Sequence, residues 1–272
     1  MTTTALVPRR DYLTAQRRLI IARALAGSIA GIIPVPFLDD WAKAAVVGGG
    51  YKRIAAAHGV DVHDDAVTQL VHGKSPPPRV LDLAASGIAY RIAGRAAKRM
   101  MLALATVNRA RSAARTFVTM TLFDHYCARL HTGLALDAPT ALALREEIAR
   151  AIEATPGALG FAPFRRGALS AAKATLKAPL ELADLATGGA LRRLLARRSS
   201  ASEVTEAEAV DTLEQSIETV LANKTGFLSR TVAAVEVQLS AEANPFLDLA
   251  IETFDHRWRA YVAAKTPPGT SR

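Results

Sequence analysis

The chain has 272 residues, half of them apolar and only 6% aromatic, with a formal charge of +9. That length suffices for a substantial core, as one large domain or two small ones. Its single cysteine, Cys127, excludes an intrachain disulfide and a cysteine-based metal cluster. Alanine dominates the apolar residues, and Ala loses little side-chain entropy in a helix, so the composition favours helix over sheet.

The charge is uneven. Residues 1–120 carry 17 Lys/Arg against 7 Asp/Glu, and residues 201–272 carry 6 against 11. A basic front and an acidic tail can pair within the chain, or the front can meet anionic lipid, an acidic protein or nucleic acid. The N-terminus is polar and basic with no small-residue cleavage site, so no signal peptide is expected.

The first helix is expected from Asp11 towards Ile33. Arg23 interrupts its apolar run, and the uncharged stretch Ala24 to Leu38 is shorter than a spanning helix of about 20 residues. Gly27 and Gly31 lie four apart beside Ala24 and Ser28, a spacing that permits close backbone approach. Pro34 and Pro36 end the helix, because each lacks an amide donor and restricts the residue before it. Asp39 or Asp40 then caps a second helix from Trp41 to His58, which Gly48, Gly49 and Gly50 either break or thin against a neighbour.

Gly59-Val60-Asp61 reads as a turn, with Asp61 as N-cap of a short helix through Val71, followed by the loop Gly73–Pro78. A long helical region follows from Val80 to His131. In it Arg91, Arg95, Lys98 and Arg99 recur at three to four residues and form one basic stripe, the candidate anion-facing surface. Thr132-Gly133 breaks the chain, and Asp137 caps a helix with Leu142, Leu144, Ile148 and Ile152 on one face. Residues 155–166 read as irregular and residues 169–198 as a further helical hairpin.

Residues 197–202 (RRSSAS) read as a linker between a basic helical domain, 1–198, and acidic C-terminal helices, 203–265, expected to pack on the first part as one globular unit. Thr205 and Glu208 have capping-box spacing, and a last helix is expected from Pro245 to Ala263. Two short repeats stand out. Pro-Phe-Leu-Asp occurs at 36–39 and 245–248, and Phe-Asp-His at 123–125 and 254–256.

The densest polar group is Asp124, His125, Tyr126, Cys127 and His131. His131, four residues after Cys127, is placed to activate it as a thiol nucleophile, which makes Cys127 the reactive-thiol candidate. Against this, an Ala/Leu-rich helix packs its cysteine inside and leaves its histidines on the surface. Among His58, Asp61, His63, Asp64, Asp65 and His72, the candidate metal ligands are His63, Asp65 and His72, imidazole and carboxylate donors suited to zinc or iron. No His-Glu-x-x-His motif, phosphate loop, dinucleotide fingerprint or serine-hydrolase elbow is present.

Residues 26–40 (AGSIAGIIPVPFLDD) with residues 51–71 (YKRIAAAHGVDVHDDAVTQLV) resemble the EcsC-like and GTPase-associated helical domains of bacteria, over about the first 75 residues. The resemblance implies a Gly/Ala-rich hairpin with a proline bend, followed by a Tyr and a Gly-Val turn. It implies a membrane-proximal or partner-binding role, and it carries no catalytic set.

The expected fold is therefore all-α, a multi-helix bundle built from Ala/Gly-rich hairpins. The expected function is that of a non-enzymatic interaction protein with no cofactor and no catalytic residues. It would be cytoplasmic and peripheral to the inner membrane. Contact would run through Gly27, Gly31, Pro34, Pro36, Phe37 and Trp41, with the basic stripe facing an anionic membrane or an acidic protein. The alternatives are a metal-binding helical protein or enzyme built on the histidine clusters, and a nucleic-acid-binding protein, for which the aromatic interleaving is lacking.

Overall fold

Six consecutive residues of the first helix, Ile20 to Leu25, are buried. At 3.6 residues per turn they cover every side of a helix, so this helix is enclosed by others. A computed structural model describes residues 10–30, 38–75, 98–155, 157, 164, 227–241 and 245–265. Within them the protein is an all-α multi-helix bundle. Its helices are α1 (Tyr12–Ala30), α2 (Leu38–Ala57), α3 (Asp64–His72), α4 (Lys98–Arg129), α5 (Ala138–Ala154), α6 (Phe227–Ala241) and α7 (Pro245–Lys265). Two-residue strands β1 (Asp61–Val62) and β2 (Ala135–Leu136) pair in parallel, Asp61 opposite Ala135 and Val62 opposite Leu136.

Helix α1 is sheathed by α2, α4 and α6, and α3 and α7 pack on α5. Contacts fix the directions. Tyr12 at the start of α1 meets His125 near the end of α4, and His58 just past α2 meets Asp124. Tyr51 packs edge-on against Phe123, with centroids 4.8 Å apart. Thus α2 runs parallel to α4, and α1 runs antiparallel to both. The end of α1, the start of α2 and the start of α4 share one end of the bundle. The opposite end holds the meeting of Tyr12, His58, Asp124 and His125.

The glycines of α2 do not break it. The helix is continuous from Leu38, three residues earlier than expected, which puts Asp39 and Asp40 inside its first turn, where the helix dipole favours acids. A Cβ on Gly50 would lie 2.6 Å from Met120 Cε and 3.4 Å from Arg23 Cγ, so glycine lets α2 close onto α1 and α4. Arg23, which breaks the apolar run in sequence, is wholly buried and donates from a guanidinium nitrogen to the Val46 carbonyl at 3.2 Å. No described helix is long and apolar enough to cross a membrane.

Asp61 is not the cap of α3. It lies in β1, and His63 occupies the N-cap position without a side-chain bond. Pairing with β2 takes Asp61 away from the helix: its amide donates to the Leu134 carbonyl at 2.9 Å. Asp137 does cap α5, its carboxylate accepting from the Thr140 amide at 2.8 Å. Basic residues of the front pair with acids of the tail: Arg10 with Asp248 at 3.0 Å, Arg18 with Glu236 at 3.3 Å. Of the basic stripe, Lys98 and Arg99 begin α4, whereas Arg91 and Arg95 lie outside the described residues, as do the 197–202 linker and the Thr205–Glu208 capping box.

Helix α2 ends in a two-bond Schellman arrangement. The Val60 amide bonds to the Ala55 carbonyl and the Gly59 amide to that of Ala56, with Gly59 at φ +70°. Nothing lies within 4 Å of a Cβ at Gly59, so Gly59→Ala tests backbone strain alone. A loss of about 1–2 kcal/mol is expected in urea unfolding. An unchanged midpoint would count against this cap.

Candidate functional site: a buried polar relay beside a cationic groove

Residues Met120 to Cys127 of α4 are all buried, so its polar members must find partners inside the protein. Asp124 accepts from His58 Nε2 at 2.6 Å. His125 faces another way. Its Nε2 lies 2.6 Å from Asp255 Oδ1 of α7, and its Nδ1 lies 2.5 Å from the Tyr12 hydroxyl of α1. With the Asp255 carboxylate as acceptor, Nε2 carries the ring proton. Nδ1 then offers its lone pair to the Tyr12 O–H. The result is one donor chain, Tyr12 to His125 to Asp255, linking α1, α4 and α7.

Burial sets the titration of these groups. Desolvation holds His125 below the usual histidine range, opposed by its bond to Asp255 and helped by the nearby charges of Arg10 and Arg129. Desolvation raises Asp124, against its bond to His58. Desolvation also raises Tyr12, while Arg10 and Arg129 pull it down. Arg129 stacks over the Tyr12 ring, 4.8 Å from its centroid.

The two Phe-Asp-His triplets meet in this region. His125 of the first bonds Asp255 of the second, and its ring lies 6.4 Å from that of Phe254. The sequence pattern led to an expectation of surface histidines here; His125 is in fact buried.

Cys127 is buried, and desolvation together with the charge of Asp124 pushes its thiol far up, away from thiolate. His131 does not serve it: its Nδ1 lies 3.0 Å from the Tyr126 hydroxyl. His63 and His72 sit at opposite ends of α3, roughly 13 Å apart along its axis. Asp65 accepts from the Ala66 amide. Among the described residues no group of three His, Cys, Asp or Glu side chains is arranged to hold a metal ion.

Gly27 lies in the buried part of α1, while Gly31, Pro34, Pro36 and Phe37 lie outside the described residues. Trp41 falls within α2.

Beside the relay, the end of α4, β2, the start of α5 and the last turns of α7 enclose a groove of about 790 Å³. Its floor is Tyr126, Leu130, Trp258 and Tyr261. Trp258 packs edge-on to Tyr126 and tilted against Tyr261, both at 5.1 Å between centroids. Among the described lining residues, Arg129, Arg259 and Lys265 stand with one carboxylate, Asp137, which is already engaged at the N-cap of α5. Arg129 and Lys265 stand in the last turns of their helices, where the dipole favours a cation. Leu134, next to the lining residue Ala135, is 85% exposed, and Val262 within the lining is 45% exposed. No sequence signal marked this groove, because its parts lie more than 100 residues apart.

No protein family, curated protein or solved structure gives a significant match to the chain.

Two outcomes are expected. The Cys127 thiol should resist iodoacetamide in the native protein and react freely in urea; fast native alkylation would contradict its burial. For His125, the lowered folded-state pKa makes its contribution to stability complete above the unfolded value of about 6.5, and that contribution is lost as pH falls towards the folded value. Asp124 has the opposite sign, since its raised pKa gives a contribution lost as pH rises through the folded value. Urea midpoints at pH ~7.5 and ~5.5 should therefore diverge less in His125→Asn than in the unaltered protein. Equal divergence in both would remove His125 from the account.

Proposed function

We propose that this is a non-enzymatic helical interaction protein that meets an anionic membrane surface with one end of its bundle. What supports the reading is the direction of three helices. The end of α1 and the start of α2, which flank the Gly/Pro bend, lie at the same end as the Lys98-Arg99 start of α4. Phe37 and Trp41, near these helix ends in sequence, would supply apolar anchors and the Lys98-Arg99 helix start cations, as interfacial binding requires. The EcsC-like resemblance of the first 75 residues accords with a membrane-proximal role. On this reading Arg91 and Arg95 extend the cationic surface, and an acidic protein face is the other partner chemistry it would accept.

Co-sedimentation with anionic and neutral vesicles at low and high salt tests the proposal, with metal content measured on the same sample. The protein is expected to pellet with anionic vesicles only, and less so at high salt. Lys98→Ala with Arg99→Ala, and separately Phe37→Ala with Trp41→Ala, should each reduce the bound fraction several-fold. Absence of binding to anionic vesicles would overturn the membrane reading, and stoichiometric metal would move the case to the metal-dependent alternative.

A further inference from the structure

The groove at the far end of α4 differs in chemistry and place from the surface just proposed. It lies roughly 45 Å along α4 from Lys98. Its volume of about 790 Å³ is that of a small-molecule site. Two requirements can be read from its walls. The floor of Tyr126, Leu130, Trp258 and Tyr261 is apolar and largely aromatic, so it favours a flat apolar body. The three cations Arg129, Arg259 and Lys265 face one carboxylate already used as a helix cap, so the polar end of that body must be an anion.

Arg259 and Arg129 are exposed, and Lys265 is shared with the Tyr261 side chain and the Asp137 carboxylate, from which an incoming anion must draw it. Arg259 is 73% exposed at its side chain and touches Asp255 only at 3.9 Å. Lys265 is exposed and stands over the Tyr261 ring at 5.1 Å, which places its charge at the edge of the aromatic floor. Arg129 is exposed as well and is held by its stack on Tyr12. Burial keeps His131, also in the lining, below the usual histidine range, against a contact with the Gly133 backbone, so it adds no charge near neutral pH.

We propose that this groove binds a small organic anion: a flat, apolar, preferably aromatic body bearing a phosphate or carboxylate. The body lies on the half-exposed Tyr261 and Leu130, with Trp258 packed beneath them, and Arg259, Lys265 and Arg129 hold the anionic group.

Calorimetric titration of the full chain with three probes tests it. 1-Naphthyl phosphate carries both features, 1-naphthol only the body and inorganic phosphate only the charge. Saturable one-to-one binding is expected for 1-naphthyl phosphate, at least about tenfold tighter than for either partial probe. Arg259→Ala and Lys265→Ala, both at exposed positions, should each weaken it by about tenfold, the loss of one charge-assisted bond. Lys52→Ala and the Lys98→Ala, Arg99→Ala pair should leave it unchanged, so failure here is separable from failure of the membrane reading. Circular dichroism confirms that each variant is folded. No saturable binding, binding of inorganic phosphate as tight as that of 1-naphthyl phosphate, or indifference to both Arg259→Ala and Lys265→Ala would overturn the proposal. Competition with a soluble short-chain phosphatidic acid separates the sources. Displacement assigns the site to a lipid headgroup with its chain, and lack of displacement assigns it to a free aromatic anion.

Discussion

The fold depends on satisfying two adjacent polar residues in a stretch of α4 that no water reaches. A buried carboxylate or imidazole without a partner costs several times what a buried methylene contributes. Asp124 and His125 point to different neighbours: His58, just past α2, bonds one oxygen of Asp124 and leaves the other buried without a hydrogen bond, while α1 and α7 deliver Tyr12 and Asp255 to His125. An apolar core would accept several rotations of these helices with little penalty. The polar pair accepts one. The relay thus selects a single arrangement of α1, α2, α4 and α7, and it places Arg129 and Arg259 on either side of itself, where they become part of the groove.

Close approach is the second condition. Alanine and glycine supply much of the helix-helix contact, so the helices must come near one another to exclude water. Ala22, Ala24 and Ala26 on α1 and Gly48 and Gly50 on α2 allow this. Gly50 also makes room for the stem of Arg23, whose guanidinium reaches the Val46 carbonyl. A charged residue inside the most enclosed helix is thereby housed by its neighbour's lack of a side chain. The composition that reads as a membrane-like small-residue helix is used here, in the described part of α1, for packing among helices.

Local features of this architecture were legible in the sequence. Asp137 as a cap, Gly59 as a stop and a final helix beginning at Pro245 follow from backbone chemistry that acts within four residues. Helical periodicity also placed Leu144, Ile148 and Ile152 on the buried face of α5, whereas Leu142, assigned to the same face, is only half-buried. The relay was not legible, because periodicity tells which face is buried and not what it meets: the partners of His125 are 113 and 130 residues away. The repeated Phe-Asp-His triplet was the one trace of it. The error at Asp61 has the same origin, since a two-residue strand pairing with residues 74 positions further on outweighed a local capping preference. The groove assembles from the ends of three helices and one strand, and no window of sequence contains it.

That small strand pair bears on the order of assembly. Joining Asp61 to Ala135 closes a long loop of chain, and two backbone rungs return little for the entropy lost. The helical hairpin of α1 and α2 can form from neighbouring segments, and α4 can then dock along it. Only after that docking are the chain ends beyond α2 and α4 held near enough for β1 and β2 to meet without further loss of freedom. The bridge is therefore a latch set last. It ties the entrance of α3 to the entrance of α5, whose Leu144, Ile148 and Ile152 belong to the same core as α1 and α4.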